Sequence, residues 1–252
     1  ATEPTPGRGA THNGDAARRA QTPTVLVAQT AGEGRPLVNN PGHKAGERSK
    51  AMSKNNPFTP AYWTHQVCEI TPELFLSAAL PYDLDEALVV LQAWRAAGVT
   101  DYVDVRIEED ASEFFAEHAP DIRYWRAPAD DHLGLQDDSW WHNANVLIRA
   151  SLAQGGKCMV TCAIGVNRSP SIVFSTLLTL GWEIEAALTQ IRRARPVAVA
   201  PYADQAAVWY ARTQGKSATE IASARRRVER WHQQNPIDAR RVISSIHRRL
   251  AS

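Results

Sequence analysis

Between Lys157 and Leu180 the chain passes from one apolar stretch to another across a short loop, and this segment constrains the fold most. Lys157 to Thr161 is a brief apolar run of strand-like length. Residues 162–168 read as a loop. Ser169-Pro170 then open a strongly apolar helix over Ile172 to Leu180, stopped by Gly181. Proline suits that opening turn, because the N–H it lacks has no helical partner there anyway. Two more helices are expected near Glu183–Arg193 and Ala203–Thr213.

Upstream, short strand-like runs alternate with helical ones. Val67 to Leu76, interrupted by Pro72, suggests an edge strand or a strand pair. Asp83 to Ala97 reads as a helix with Leu84, Ala87, Leu88 and Leu91 on one face and Gly98 as its stop. Thr100–Val105 and Ile122–Trp125 read as strands, Asp110–His118 as a short helix, and Ser139–Gln154 as a longer one ended by Gly155-Gly156. Strands alternating with helices, followed by a run of helices, predict an α/β domain in three layers: a central, mainly parallel sheet flanked by helices.

Composition sets the outer limits. With 252 residues, 44% of them hydrophobic, the chain can bury a sizeable core as one large domain, or as one ordinary domain with tails. Charge is segregated. Residues 1–60 hold 8 basic and 4 acidic side chains, residues 61–215 hold 11 and 20, and residues 216–252 hold 9 and 3. The predicted organisation is therefore a low-complexity, disordered arm over 1–62, a globular domain over 63–215 and a basic helical tail over 216–252, broken at Asn235-Pro236. An enzyme of nucleic acid more often carries its basic stripe on the body itself, which here is acidic. The basic ends are either solvated tails or contacts for an anionic partner. No apolar run approaches a membrane span, and no basic start leads into an apolar stretch, so the expected location is cytoplasmic. The three cysteines, Cys68, Cys158 and Cys162, cannot build a disulfide framework. Cys158 and Cys162 sit too far apart along one strand to pair, and no second ligand pair stands at zinc-site spacing.

The loop carries the chemistry. At a helix N-terminus, unpaired N–H groups and the positive end of the helix dipole make an anion site. Gly165 lets the backbone curl, and Arg168 supplies a planar fork that suits two oxygens of a phosphate. The same dipoles stabilise a thiolate at Cys162, which is placed beneath such an anion for attack on phosphorus.

Thr161-Cys162-Ala163-Ile164-Gly165-Val166-Asn167-Arg168-Ser169 resembles the Cys-x5-Arg-Ser/Thr loop of the cysteine-dependent protein phosphatases. The wider layout resembles their dual-specificity subgroup. Ile70 to Ser77 is similar to its opening strand, Gly98 to Val105 to the next, Tyr124 to His132 to the segment ending in its general-acid aspartate, and Arg195-Pro196 with Ala200-Pro201 to a later loop beside the site. The resemblance spans roughly residues 65–213. It implies a protein-tyrosine-phosphatase-like fold and a phosphomonoester hydrolase acting on phosphorylated proteins, at phosphotyrosine and/or phosphoserine and phosphothreonine, through a phosphocysteine intermediate, with no cofactor and no metal. By the same resemblance, Cys162 is the nucleophile, while Ala163, Ile164, Gly165, Val166, Asn167 and Arg168 bind the phosphoryl oxygens. Ser169 hydrogen-bonds the sulfur, and Asp131 is the general acid, with neighbouring Asp130 as the runner-up.

Two departures stand out. The family usually has His before the nucleophile, and this chain has Thr161; Tyr202 stands where the subgroup often has Asn. Thr161 keeps a second reading open, a catalytically weak phosphate-binding adaptor. A lipid or RNA 5′-phosphatase on the same fold is a third, although the acidic body and the lysine-free loop 163–167 argue against highly charged phosphoinositides. Cys68 and Cys158 are expected to be buried, with Cys68 alternatively able to trap an oxidised Cys162. Trp140 and Trp141 are expected in the core and on the helix surface, and Arg225-Arg226-Arg227 on a solvated helix face. His132 and His142 show no ligand spacing.

Overall fold

The computed structural model describes residues 64–250; the arm expected over 1–62 lies outside them. Among the described residues five strands and eight helices follow one another: β1 (Cys68–Thr71), β2 (Leu74–Ala78), α1 (Leu84–Ala97), β3 (Asp101–Arg106), α2 (Ser112–His118), β4 (Arg123–Ala129), α3 (Asp138–Ala153), β5 (Cys158–Cys162), α4 (Arg168–Thr179), α5 (Ile184–Ala194), α6 (Ala203–Thr213), α7 (Ala218–Gln234) and α8 (Ala239–Leu250). The sheet order is β1-β2-β5-β3-β4. β1 pairs antiparallel with β2, and the remaining pairings are parallel.

Alternation along the strands builds the three layers. Cys158, Val160 and Cys162 of β5 join Leu74, Leu76, Val103 and Val105 in one apolar cluster with residues of α3, α4, α5 and α6. Met159 faces the other way and joins Phe75, Tyr102, Trp94 of α1 and Phe115 of α2. β5 is flanked on both edges and buried along its whole length, so its five residues read as a continuous apolar run rather than an alternating one. The helix ends obey local chemistry. The Asp83 carboxylate accepts the Glu86 N–H at 3.0 Å at the start of α1, and Gly98 closes that helix at φ 82°.

Some boundaries differ from the sequence expectation. The strand expected at Ile122–Trp125 runs on to Ala129 and includes Pro128, tolerated because β4 is a sheet edge. α4 begins at Arg168, so Arg168 and Ser169 belong to its first turn. Trp140 and Trp141 are both buried. The arginine triplet lies on the solvated side of α7, as expected, where it forms surface ion pairs: Arg227 bridges Glu183 and Glu185 beside α5, and Arg225 lies 3.7 Å from Asp204 of α6. The other side of that helix packs inward. Val228 and Trp231 of α7 enter the main apolar cluster, Trp231 Nε1 donates to Thr189 Oγ1 at 3.1 Å, and Arg192 stacks over the indole at 5.2 Å. No helix among the described residues is long and apolar enough to cross a membrane.

Candidate active site

Parallel strands bring their C-terminal ends to one side of the sheet, where open α/β sheets bind ligands. Four connections gather there: 79–83 after β2, 107–111 after β3, 130–137 after β4 and 163–167 after β5. β5 returns between β2 and β3, so its loop sits at the middle of this edge.

Cys162 is the last residue of β5 and is buried; its carbonyl accepts the Ala79 N–H at 2.9 Å. Ser169, on the first turn of α4, directs its hydroxyl to Cys162 Sγ at 3.2 Å. Between them the loop turns through Gly165 at φ 63°. An added Cβ there would lie 2.6 Å from the Ser77 carbonyl oxygen and 2.7 Å from the Arg195 guanidinium, so only glycine fits. Among the turn and loop hydrogen bonds of the described residues, none is donated by a backbone N–H of residues 163–168. These are the groups that an anion at a helix N-terminus takes up.

The loop is held from behind by Arg195. This buried guanidinium donates from Nε to the Gly165 carbonyl at 2.7 Å and from Nη2 to the carbonyls of Ile164 (2.9 Å) and Thr64 (3.0 Å), with Nη1 3.6 Å from Cys68 Sγ. No carboxylate bridges Arg195 among the described residues, so its charge adds to the positive potential beneath the loop. The carbonyl of Val166 accepts the N–H groups of Val199 (2.8 Å) and Ala200 (3.1 Å), tying the loop to the segment before α6.

Arg168 is buried, and its donors can be accounted for one by one. Nη1 and Nη2 grip the two oxygens of Glu108 at 2.7 and 2.6 Å, and Nη1 also donates to the Ala129 carbonyl at 2.8 Å. A guanidinium has five N–H groups. The Nε–H and the second Nη2–H are left, on one edge of the plane. Nε is buried without a hydrogen-bond partner; its nearest carboxylate oxygen, Asp131 Oδ2, is 3.7 Å away, too far for a bond. That free edge is the shape that grips two oxygens of a phosphate. Burial opposes the Arg168 charge, but the Glu108 hydrogen bonds and the Coulombic pull of Cys162 outweigh it and raise the guanidinium's pKa. The Arg168 hydrogen bonds in turn bring Glu108 down to about 2.

Asp131 stands across from the loop. Asn167 Nδ2 donates to both of its oxygens, at 3.3 and 3.2 Å, and the Tyr202 hydroxyl donates to Oδ1 at 2.7 Å. Asp130 is exposed, and its carbonyl accepts from Gln136 Nε2 at 2.9 Å. Thr161 points to the opposite face of the sheet, where its hydroxyl meets that of Tyr102 at 2.9 Å. Cys68 and Cys158 are buried and free, and burial pushes the Cys158 thiol up.

The residues singled out in the sequence thus gather as follows: Cys162, Ser169, Arg168 and the backbone of Ala163, Ile164, Gly165, Val166 and Asn167 form one loop and helix start, with Asp131 beside them. Glu108 was not anticipated as part of the site, and Arg195 was expected only in a loop beside it. No group of three or more His, Cys, Asp or Glu side chains that could hold a metal ion occurs among the described residues.

No family model matches the chain. A similar curated protein is mouse protein phosphatase Slingshot homolog 3, 26% identical over 111 residues that cover 41% of this chain and only 17% of that protein's length. Among solved structures, human DUSP28 aligns with a TM-score of 0.50 at 23% identity, over 60% of this chain and 100% of its own. A mouse dual-specificity-type chain complexed with zinc tungstate aligns with a TM-score of 0.51 at 21% identity, over 68% of this chain and 98% of its own. The fold of this chain is that of the dual-specificity phosphatases.

Proposed function

Proceeding from that fold, we propose that the chain is a cysteine-dependent phosphomonoester hydrolase acting on phosphorylated proteins. The observation that carries this reading is the unspent edge of the buried Arg168, in the same loop as Cys162. A phosphate monoester lying against that edge and the free N–H groups of 163–168 would have its phosphorus over the sulfur. Binding of this kind is strongest when charge has spread over the equatorial oxygens, so it favours the transition state.

The thiolate of Cys162 attacks phosphorus and the ester P–O bond breaks. The leaving oxygen takes the proton of Asp131, giving the free alcohol and a phosphocysteine. In the second step Asp131, now ionised, removes a proton from water as the water oxygen attacks phosphorus. The P–S bond breaks, inorganic phosphate leaves and the thiolate is restored, stabilised by the Ser169 hydroxyl. The contacts of Asn167 and Tyr202 with Asp131, and the exposure of Asp130, support Asp131 as the acid. Cycling needs neither metal nor cofactor, because the guanidinium and backbone dipoles take the place of a cation. The acidic body and the lysine-free loop favour a phosphorylated protein over a highly charged inositol lipid or RNA 5′ end. The three free cysteines support a reducing, cytoplasmic setting.

The test is hydrolysis of an aryl phosphate with chelator present. Turnover that Cys162→Ser abolishes, with tungstate binding retained, supports the reading; turnover surviving that substitution overturns it. The Thr161 hydroxyl, turned away to Tyr102, brings no charge to the sulfur and favours a second reading, a phosphate-binding adaptor. That reading predicts tungstate binding by the parent chain without turnover. Comparing a phosphopeptide, a phosphoinositide and a 5′-triphosphate RNA then ranks the substrate classes.

A further inference from the structure

Tyr202 sits at the N-cap position of α6 with its ring buried, edge-on to Trp140 at 6.3 Å. The turn that delivers it contains Ala200 at φ 52° and is pinned to the phosphate-binding loop through the Val166 carbonyl. Its hydroxyl does two things at once. It accepts the Leu133 N–H at 3.0 Å and donates to Asp131 Oδ1 at 2.7 Å. A phenol has one hydrogen to give, and here that hydrogen points at the carboxylate. Burial, followed by the hydrogen bond to Asp131, pushes Tyr202 up to about 12, so the donor keeps its proton at any working pH.

The strap extends one turn further along α6. Gln205 Oε1 accepts the Gln136 N–H at 2.9 Å, and its Nε2 donates to the Gly134 carbonyl at 3.0 Å. Leu133 is held within this strap in a left-handed conformation, φ 59°, that a leucine rarely adopts. The segment 131–136 is therefore tied down on both sides of its turn.

We propose that Tyr202 is a positioning residue for the general acid: Asn167 Nδ2 spans both oxygens of Asp131 at 3.3 and 3.2 Å without distinguishing them, whereas the Tyr202 hydroxyl adds a shorter bond to Oδ1 alone and so confines the transferable proton to Oδ2, the oxygen nearest the free edge of Arg168. A carboxylic acid with both oxygens free delivers its proton from either one, in several orientations. One with Oδ1 engaged offers a single donor already aimed, and that orientation matters most when the leaving group is a poor one. This inference rests on the phosphatase reading.

The experiment is a series of aryl phosphates whose leaving groups range from phenol to dinitrophenol. Tyr202→Phe keeps the ring and removes only the hydroxyl. It is expected to lower kcat on phenyl phosphate about tenfold, to leave dinitrophenyl phosphate within about twofold, since that leaving group needs little protonation, and to leave KM and tungstate inhibition unchanged. In an Asp131→Asn background the same substitution should change nothing further, because the proton it aims is gone. Equal losses across the series, or a further loss in the Asp131→Asn background, would reduce Tyr202 to a packing residue and overturn the proposal. So would an unchanged leaving-group dependence in a variant that melts like the parent. If the parent chain hydrolyses none of these esters, the phosphatase reading fails and this inference with it. If the parent is active and only the Tyr202→Phe pattern is absent, this inference falls alone.

Discussion

Replacing Gly165 by alanine probes the shape of the anion loop with a single carbon. A left-handed backbone costs an L-residue about 1–2 kcal/mol, and Gly165 sits at φ 63°. The new Cβ would also lie 2.6 Å from the Ser77 carbonyl and 2.7 Å from Nε and Nη2 of Arg195. Ser77 is fixed within β2, so relief must come from Arg195, whose bonds to the Gly165 and Ile164 carbonyls stretch or break. A hydrogen bond to a charged group contributes about 1.5–3 kcal/mol. Losing one and bearing the torsional cost gives about 3–5 kcal/mol. In a chain of this size each kcal/mol lowers Tm by about 2–4 °C, so Tm should fall by roughly 6–20 °C. Thermal unfolding followed by near-ultraviolet circular dichroism reads this directly. Repeating it with saturating tungstate adds the functional half. At 100 times Kd a ligand stabilises the native parent by about 2.7 kcal/mol, and the alanine variant should gain almost none of this. A variant that melts within about 2 °C of the parent and is equally stabilised by tungstate refutes the argument that this loop's curvature makes the anion site.

Glu108 is held at about 2, below its ordinary 4.5, by hydrogen bonds from Arg168. Its stabilisation is therefore complete above pH 4.5 and is lost as pH falls through about 2. Glu108→Gln should flatten the acid-unfolding curve in that window, and an unchanged curve means the pair contributes nothing to stability. Trp231→Ala should cost about 3–5 kcal/mol, a Tm loss of roughly 6–20 °C, because the indole is buried in the main cluster and its Nε1 bonds Thr189. A variant melting within about 3 °C of the parent would show that α7 is not part of the cooperative unit.

Much of this architecture was legible before any coordinates. Local chemistry punctuates the chain: Gly98 ends α1, Ser169-Pro170 falls in the first turn of α4, and Asn235-Pro236 separates α7 from α8. The spacing from Cys162 to Arg168 to Ser169 is local too, so the loop could be recognised from residues adjacent in the chain. What escaped notice is non-local. Glu108 meets Arg168 across 60 positions, and Arg195 reaches Gly165 across 30. No period or spacing marks these pairs: the surface-loop glutamate looks ordinary, and Arg195, although its segment resembles a loop beside the site, shows no partner until the sheet brings the two ends together. The insertion of β5 between β2 and β3 is likewise a fact of pairing, invisible to strand propensity.

The outer rim of β4 has a consequence for the molecule's company. Arg123 is locked to Asp101 at 2.8 Å and Arg126 to Asp110 at 3.1 Å, and Pro128 interrupts the row of amide hydrogens. A foreign strand approaching this flank meets fixed cations and a missing donor rather than an open ladder. At the far flank, β1 is four residues long and its register slips between Glu69 and Thr71. Both margins of the sheet are thereby blunted against growth, which protects a chain with so apolar a central strand from recruiting its neighbours into fibres.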